Sequence, residues 1–104
     1  MTHSSLKKVV LFGESFRIEN TITDYDGSTL DPDSHSIQLY KPDGTTQGDA
    51  ETSPTYVSAG FYYQDFAIPE TGPKGEWMVV WIVTVGSGPS AENTPERIRV
   101  KVVD

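Results

Sequence analysis

Apolar residues recur at every second position in four separate runs of this chain and nowhere at helical spacing. Phe16, Ile18 and Ile22 alternate with Arg17, Glu19, Thr21 and Thr23, which reads as a strand over 16–23. Ile37 and Leu39 mark a strand over 36–40, and Tyr62, Phe66 and Ile68 share one phase of "GFYYQDFAIP". In the last run Ile98, Val100 and Val102 alternate with Arg97, Arg99 and Lys101. A further strand is expected over 7–12, stopped at Gly13. "KPDGT" predicts a tight turn, because proline presets φ and glycine takes the left-handed position. The polar stretch 45–58 predicts only a short, poorly formed edge strand, and "GSGPSAENTPE" a long loop. Nine glycines and seven prolines break up the remainder. Seven short strands without crossover helices predict an all-β sandwich of two packed antiparallel sheets. Its core is expected to hold Ile18, Ile22, Leu39, Tyr62, Phe66, Trp77, Val79, Trp81, Ile98, Val100 and Val102.

One run departs from this alternation. "GEWMVVWIVTV" is apolar on both faces from Trp77 to Val83, whereas a strand covering a core on one side should be polar on the other. With Trp77, Val79, Trp81 and Val83 inward, Met78, Val80, Ile82 and Thr84 face outward. The last strand is expected on one flank, with Arg97, Arg99 and Lys101 outward, and the third strand, with Gln38 and Tyr40, on the other. Two accounts of this outer stripe follow. A loop, 45–58 or 86–96, folds over it; or Met78, Val80, Ile82, Tyr40, Arg97, Arg99 and Lys101 form an interface for a partner or a second copy. Enrichment of Met, aromatics and Arg at interfaces favours the second.

Composition narrows the partners. Fifteen acidic against eight basic residues give a net charge of −7, which argues against nucleic acid, since that binding rests on clustered cations. The 104 residues suit one domain, 1–104, with residues 1–6 expected to be mobile. No cysteine is present, so disulfides and thiolate metal sites are excluded. The N-terminal stretch has only the apolar run Val9–Phe12, shorter than a secretory h-region, and no run approaches a membrane span. The expectation is a soluble protein, assembled in a cytoplasm, that is not exported by a signal peptide in this chain.

The motifs "GESFRI", "DYDGSTLDP", "IQLYKPDGT", "GFYYQDFAIP" and "GEWMVVWIV" occur in an order that resembles bacterial and viral immunoglobulin-like domains, over about residues 13–85. These motifs are shared by adhesin repeats, macroglobulin-like modules and small virion proteins. The cysteine pair of antibody domains is absent. The resemblance implies an immunoglobulin-like sandwich. For a freestanding domain it implies a minor virion structural protein of a tailed phage or archaeal virus, at the head–tail region or on the capsid. The protein partner would then be a viral structural protein or another copy.

Candidate chemistry is sparse. Asp24, Asp26, Asp31 and Asp33 fall in one loop, and calcium takes six to eight oxygen ligands from such loops. "DYDGSTLDPD" lacks the glycine and glutamate positions of an EF-hand, and aspartate also serves ordinary turns. The turn reading is preferred, with a weak calcium site as the alternative and no cofactor expected. His3 and His35 have no second histidine at ligand spacing. Ser87 and Ser90 in "GSGPS" lack the G-x-S-x-G spacing of a serine elbow. Asp65 and Glu76 are a carboxylate pair without an evident cleft. The chain is therefore expected not to be an enzyme. Its function is read as a structural protein–protein module, the alternative being a surface module that binds glycan, through Tyr25, Tyr40, Tyr56, Tyr62 and Tyr63, or calcium.

Overall fold

Each period-two run closes its apolar phase against another, and two sheets result. In this computed structural model, which describes residues 8–24, 26–86 and 91–104, the strands are β1 (Lys8–Leu11), β2 (Ser15–Thr21), β3 (Ser34–Tyr40), β4 (Thr55–Ser58), β5 (Phe61–Ala67), β6 (Gly75–Val85) and β7 (Glu92–Val103). One sheet has the order β1-β7-β6-β3 and the other β2-β5-β4. Residues 1–6, expected to be mobile, lie outside the described residues. No helix among the described residues is long and apolar enough to cross a membrane.

The core fills the space between the sheets. Trp77, Val79 and Trp81 of β6 are fully buried, and Ile37, Leu39, Val100 and Val102 on the flanking strands complete their layer. The opposing layer comes from Phe16 and Ile18 of β2, Ile22 beyond its end, Tyr62 of β5 and Ile68. Every residue expected in the core is buried except Phe66. Phe66 has the expected inward phase but is only partly buried, stacked on Phe16 with ring centroids 5.8 Å apart. It pairs with Phe16 one residue before the end of β5. Val10, Phe16, Ile37, Ile68 and Val83 belong to the core in addition.

Two further expectations are corrected. The β1–β7 pair is parallel, with Val10 opposite Val102, although the other strand pairs are antiparallel. The parallel pair arises because the chain leaves β1 through a turn at Gly13 (φ 80°) and enters the other sheet as β2. The stretch 45–58 does end in a short, irregular edge strand, β4, as expected, with an added feature before it. Thr46 and Glu51 bridge to Tyr40 and Ile37 along the free edge of β3, and the chain then crosses to pair β4 with β5. Finally, Glu92–Glu96 is not loop but the first part of β7, paired with Trp81–Val85. Its proline is tolerated there because β1 reaches only Val100–Val103 of the other β7 edge. The "KPDGT" turn forms as expected: Gly44 (φ 88°) donates to the Lys41 carbonyl, and Asp43 accepts from the Thr45 amide and hydroxyl.

Candidate functional site

The outer face of the four-stranded sheet is ordered by cross-strand register. Met78 lies between Tyr40 and Arg99, Val80 between Gln38 and Arg97, and Ile82 between Ser36 and Pro95. Glu76 lies opposite Lys101, whose other neighbour is Val9 on β1. Met78, Val80, Ile82, Tyr40, Arg97, Arg99 and Lys101 are therefore brought onto one face. Met78, Val80, Ile82 and Tyr40 are half-buried and the three cations exposed, as expected for a central row shaded by long flanking side chains.

The 45–51 segment reaches the margin of this face, where the Gln38 side-chain amide donates to the Gly48 carbonyl at 3.2 Å. Positions 46 and 51 lie along the β3 edge, 55–58 belong to the opposite sheet, and 92–96 are strand. Residues 87–90, including Ser87 and Ser90, lie outside the described residues. At the β3 end of the face, Tyr40, Pro42, Gly44, Met78 and Val80, with Lys41 and Glu76 at its margin, line an open depression of about 480 Å³. Its wall is the 41–45 turn, held against β6 by Pro42, which stands so close to Gly75 that a Cβ there would lie 2.9 Å from the proline Cγ.

Two features of the face escaped the sequence reading. Val9 and Leu11 add an apolar margin beyond the cations, at 66% and 47% exposure. The alternation of Val9 and Leu11 with inward Val10 was legible, but only the parallel pairing places them beside Lys101. The second feature is Glu76, which pairs with Arg99 at 3.5 Å. Among the described residues, Arg97 and Lys101 have no ion-pair partner.

The loop aspartates do separate work. Asp24 Oδ1 accepts from the amides of Asp26 and Ser28, at 2.9 and 3.2 Å, closing a turn. Asp31 Oδ1 accepts from the Gly60 amide at 2.8 Å and the Tyr62 hydroxyl at 3.0 Å. Asp33 accepts from the Gly86 amide, and Asp26 is exposed. Among the described residues no group of three or more His, Asp or Glu is disposed to hold a metal ion. Tyr25 lies outside the described residues. Burial, and then the Asp31 carboxylate, push the Tyr62 hydroxyl up to about 12, so it stays a donor at neutral pH. His35 Nδ1 accepts the Trp81 indole N–H at 3.1 Å.

Asp65 and Glu76 are on the outer faces of opposite sheets and cannot flank one bond. Asp65 is instead held by Arg17 in a two-pronged pair, at 2.8 and 3.1 Å, with the guanidinium 3.7 Å over the Tyr63 ring. The guanidinium hydrogen bond holds the Asp65 carboxyl below its usual range.

The fold is an immunoglobulin-like β-sandwich. A solved structure described as the Lin-41 filamin domain is similar, with a TM-score of 0.56 and 22% identity, covering 88% of this chain and 83% of that one. At that identity the likeness is one of fold. No family model and no curated protein matches the chain. In this sandwich the outer face of the β1-β7-β6-β3 sheet combines apolar rows, cations without an ion-pair partner among the described residues, and a depression.

Proposed function

We propose that this chain is a non-catalytic protein–protein interaction module that binds through the outer face of its four-stranded sheet. The observation that carries this is the half-buried apolar row Met78, Val80, Ile82 beside Arg97 and Lys101, which have no ion-pair partner among the described residues, on a molecule of net charge −7. An apolar centre with an arginine rim is the composition of binding surfaces. The separation of Asp65 from Glu76 supports a role without catalysis. A calcium or glycan module gains less support, since Asp24, Asp31 and Asp33 already accept internal hydrogen bonds.

A photo-crosslinking residue at position 82, compared with one at position 19 on the opposite sheet, tests the surface in extract of the source. Crosslinks from 82 alone, lost with Arg97→Glu, are expected. Equal labelling from both positions would overturn the reading. The finer proposal, a small virion protein assembled in a host cytoplasm, rests on the sequence resemblance. It expects genes for capsid, portal or tail proteins beside this one and the chain itself in purified particles. Its absence from such particles would refute that role.

A further inference from the structure

The proposed surface carries enough geometry to say what kind of partner it fits. Its apolar row and its basic row lie on adjacent strands, β6 and β7, with Met78 opposite Arg99 and Val80 opposite Arg97. Adjacent strands are about 4.8 Å apart, and successive outward residues along a strand about 6.7 Å. An extended peptide offers one side-chain row per face, so a single strand meets either the apolar row or the cations. A helix offers two neighbouring rows at once. Its i, i+4 repeat advances about 6 Å, close to the spacing of the outward residues. The depression at Tyr40 and Met78 marks one end of the apolar row and has room for a bulky apolar anchor.

Charge decides the sign. Among the described residues on these two rows, Arg97, Arg99 and Lys101 outnumber the carboxylate of Glu76, which is engaged with Arg99. A second copy docked face to face would set cations against cations, which disfavours self-pairing. The net charge of −7 repels an acidic partner in general, so the basic row favours this face for its approach.

Resting on the proposed interaction role, we infer that this sheet face docks an acidic amphipathic helix of another protein. The apolar row of that helix seats on Met78, Val80 and Ile82, and its carboxylates meet Arg97 and Lys101. A bulky side chain of the helix fills the depression beside Tyr40.

Two Ala-based helical peptides of about 18 residues, long enough to cover the rows, serve as probes. They share one Leu/Trp face and differ only in Glu or Lys flanks. Each is titrated against the full chain and its Ile82→Asp and Ile82→Thr variants by fluorescence anisotropy. The Ile82-dependent part of binding is the readout, because a basic probe also adheres to the acidic remainder without regard to residue 82. The acidic probe should bind about tenfold or more tighter than the basic one in that readout. Raising salt from about 0.05 to about 0.5 M should erase most of the difference, and Arg97→Glu with Lys101→Glu should invert it. Equal binding of both probes, a preference for the basic one, or no Ile82-dependent binding overturns the helix assignment. A dimer in sedimentation that Ile82→Asp dissolves gives the face to a second copy and overturns it too. Crosslinks from position 82 without acidic-probe binding leave the interaction surface standing and refute only the partner class. Their absence removes the surface itself.

Discussion

The indole N–H of Trp81 donates to Nδ1 of His35 across 3.1 Å, joining the centre of one sheet to an imidazole that packs edge-on against Tyr62 of the other. The contact requires His35 to accept at Nδ1, as only the neutral ring can. Burial lowers the His35 pKa from its ordinary value, and the nearby Asp31 carboxylate opposes this more weakly.

The sign of the pH dependence follows. A histidine with a depressed folded pKa takes up its proton more readily unfolded, so its contribution is intact above about pH 6.5. It is lost as pH falls through the lower folded value. Urea unfolding measured from pH 8 down to 5 should show stability falling below about pH 6.5. His35→Asn retains an acceptor near the Nδ1 position but does not titrate, and it should flatten that limb. A variant with the same slope as the parent would show that another group is responsible.

Truncations should cost most where burial is complete. Trp77 is fully buried and donates to the Pro73 carbonyl at 2.8 Å, so Trp77→Ala should cost about 3–5 kcal/mol. Phe66 is only partly buried at the rim, and Phe66→Ala should cost less than about 2 kcal/mol. Equilibrium unfolding of both variants checks the order; a larger loss for Phe66 would mean that the rim is closed in solution.

Gly60 sits where two chain segments meet. It has φ 76°, and an added Cβ would lie 2.6 Å from the Ile22 carbonyl oxygen. Gly60→Ala should therefore cost more than the roughly 1–2 kcal/mol of left-handed strain alone. Gly48, at φ 72° with nothing within 4 Å of an added Cβ, is the control that carries the strain without the clash. Thermal unfolding of the two alanine variants should separate them, and equal losses would remove the packing argument.

Calcium should matter little. Asp24, Asp31 and Asp33 each spend an oxygen on backbone amides that close the loop, so the loop needs no ion to hold its shape. Calorimetry with EDTA and with millimolar calcium should give the same Tm. A shift of many degrees would reveal tight binding, because stabilisation grows only with the logarithm of ligand over Kd.

The sandwich and most of its core were legible because a half-buried strand writes its inward face into every second residue. Ile18, Leu39, Trp77, Ile98 and Val100 announce themselves in this way, and so does the outward stripe Met78, Val80, Ile82, apolar where polar residues belong. The turn at Gly44 was equally plain, since its residue types follow from local backbone sterics. What tertiary structure alone decided is non-local. Val9 and Leu11 join the outer face only because β1 docks parallel to β7. The loop-like residues of Glu92–Glu96 become strand because the β6 edge satisfies their backbone. Phe66 keeps the right phase yet stays half-open, since phase is a property of one strand and coverage depends on what the other sheet places above it. The same holds for Arg97 and Lys101. Their alternation is written in the chain, but whether a carboxylate stands within reach depends on which strands become neighbours.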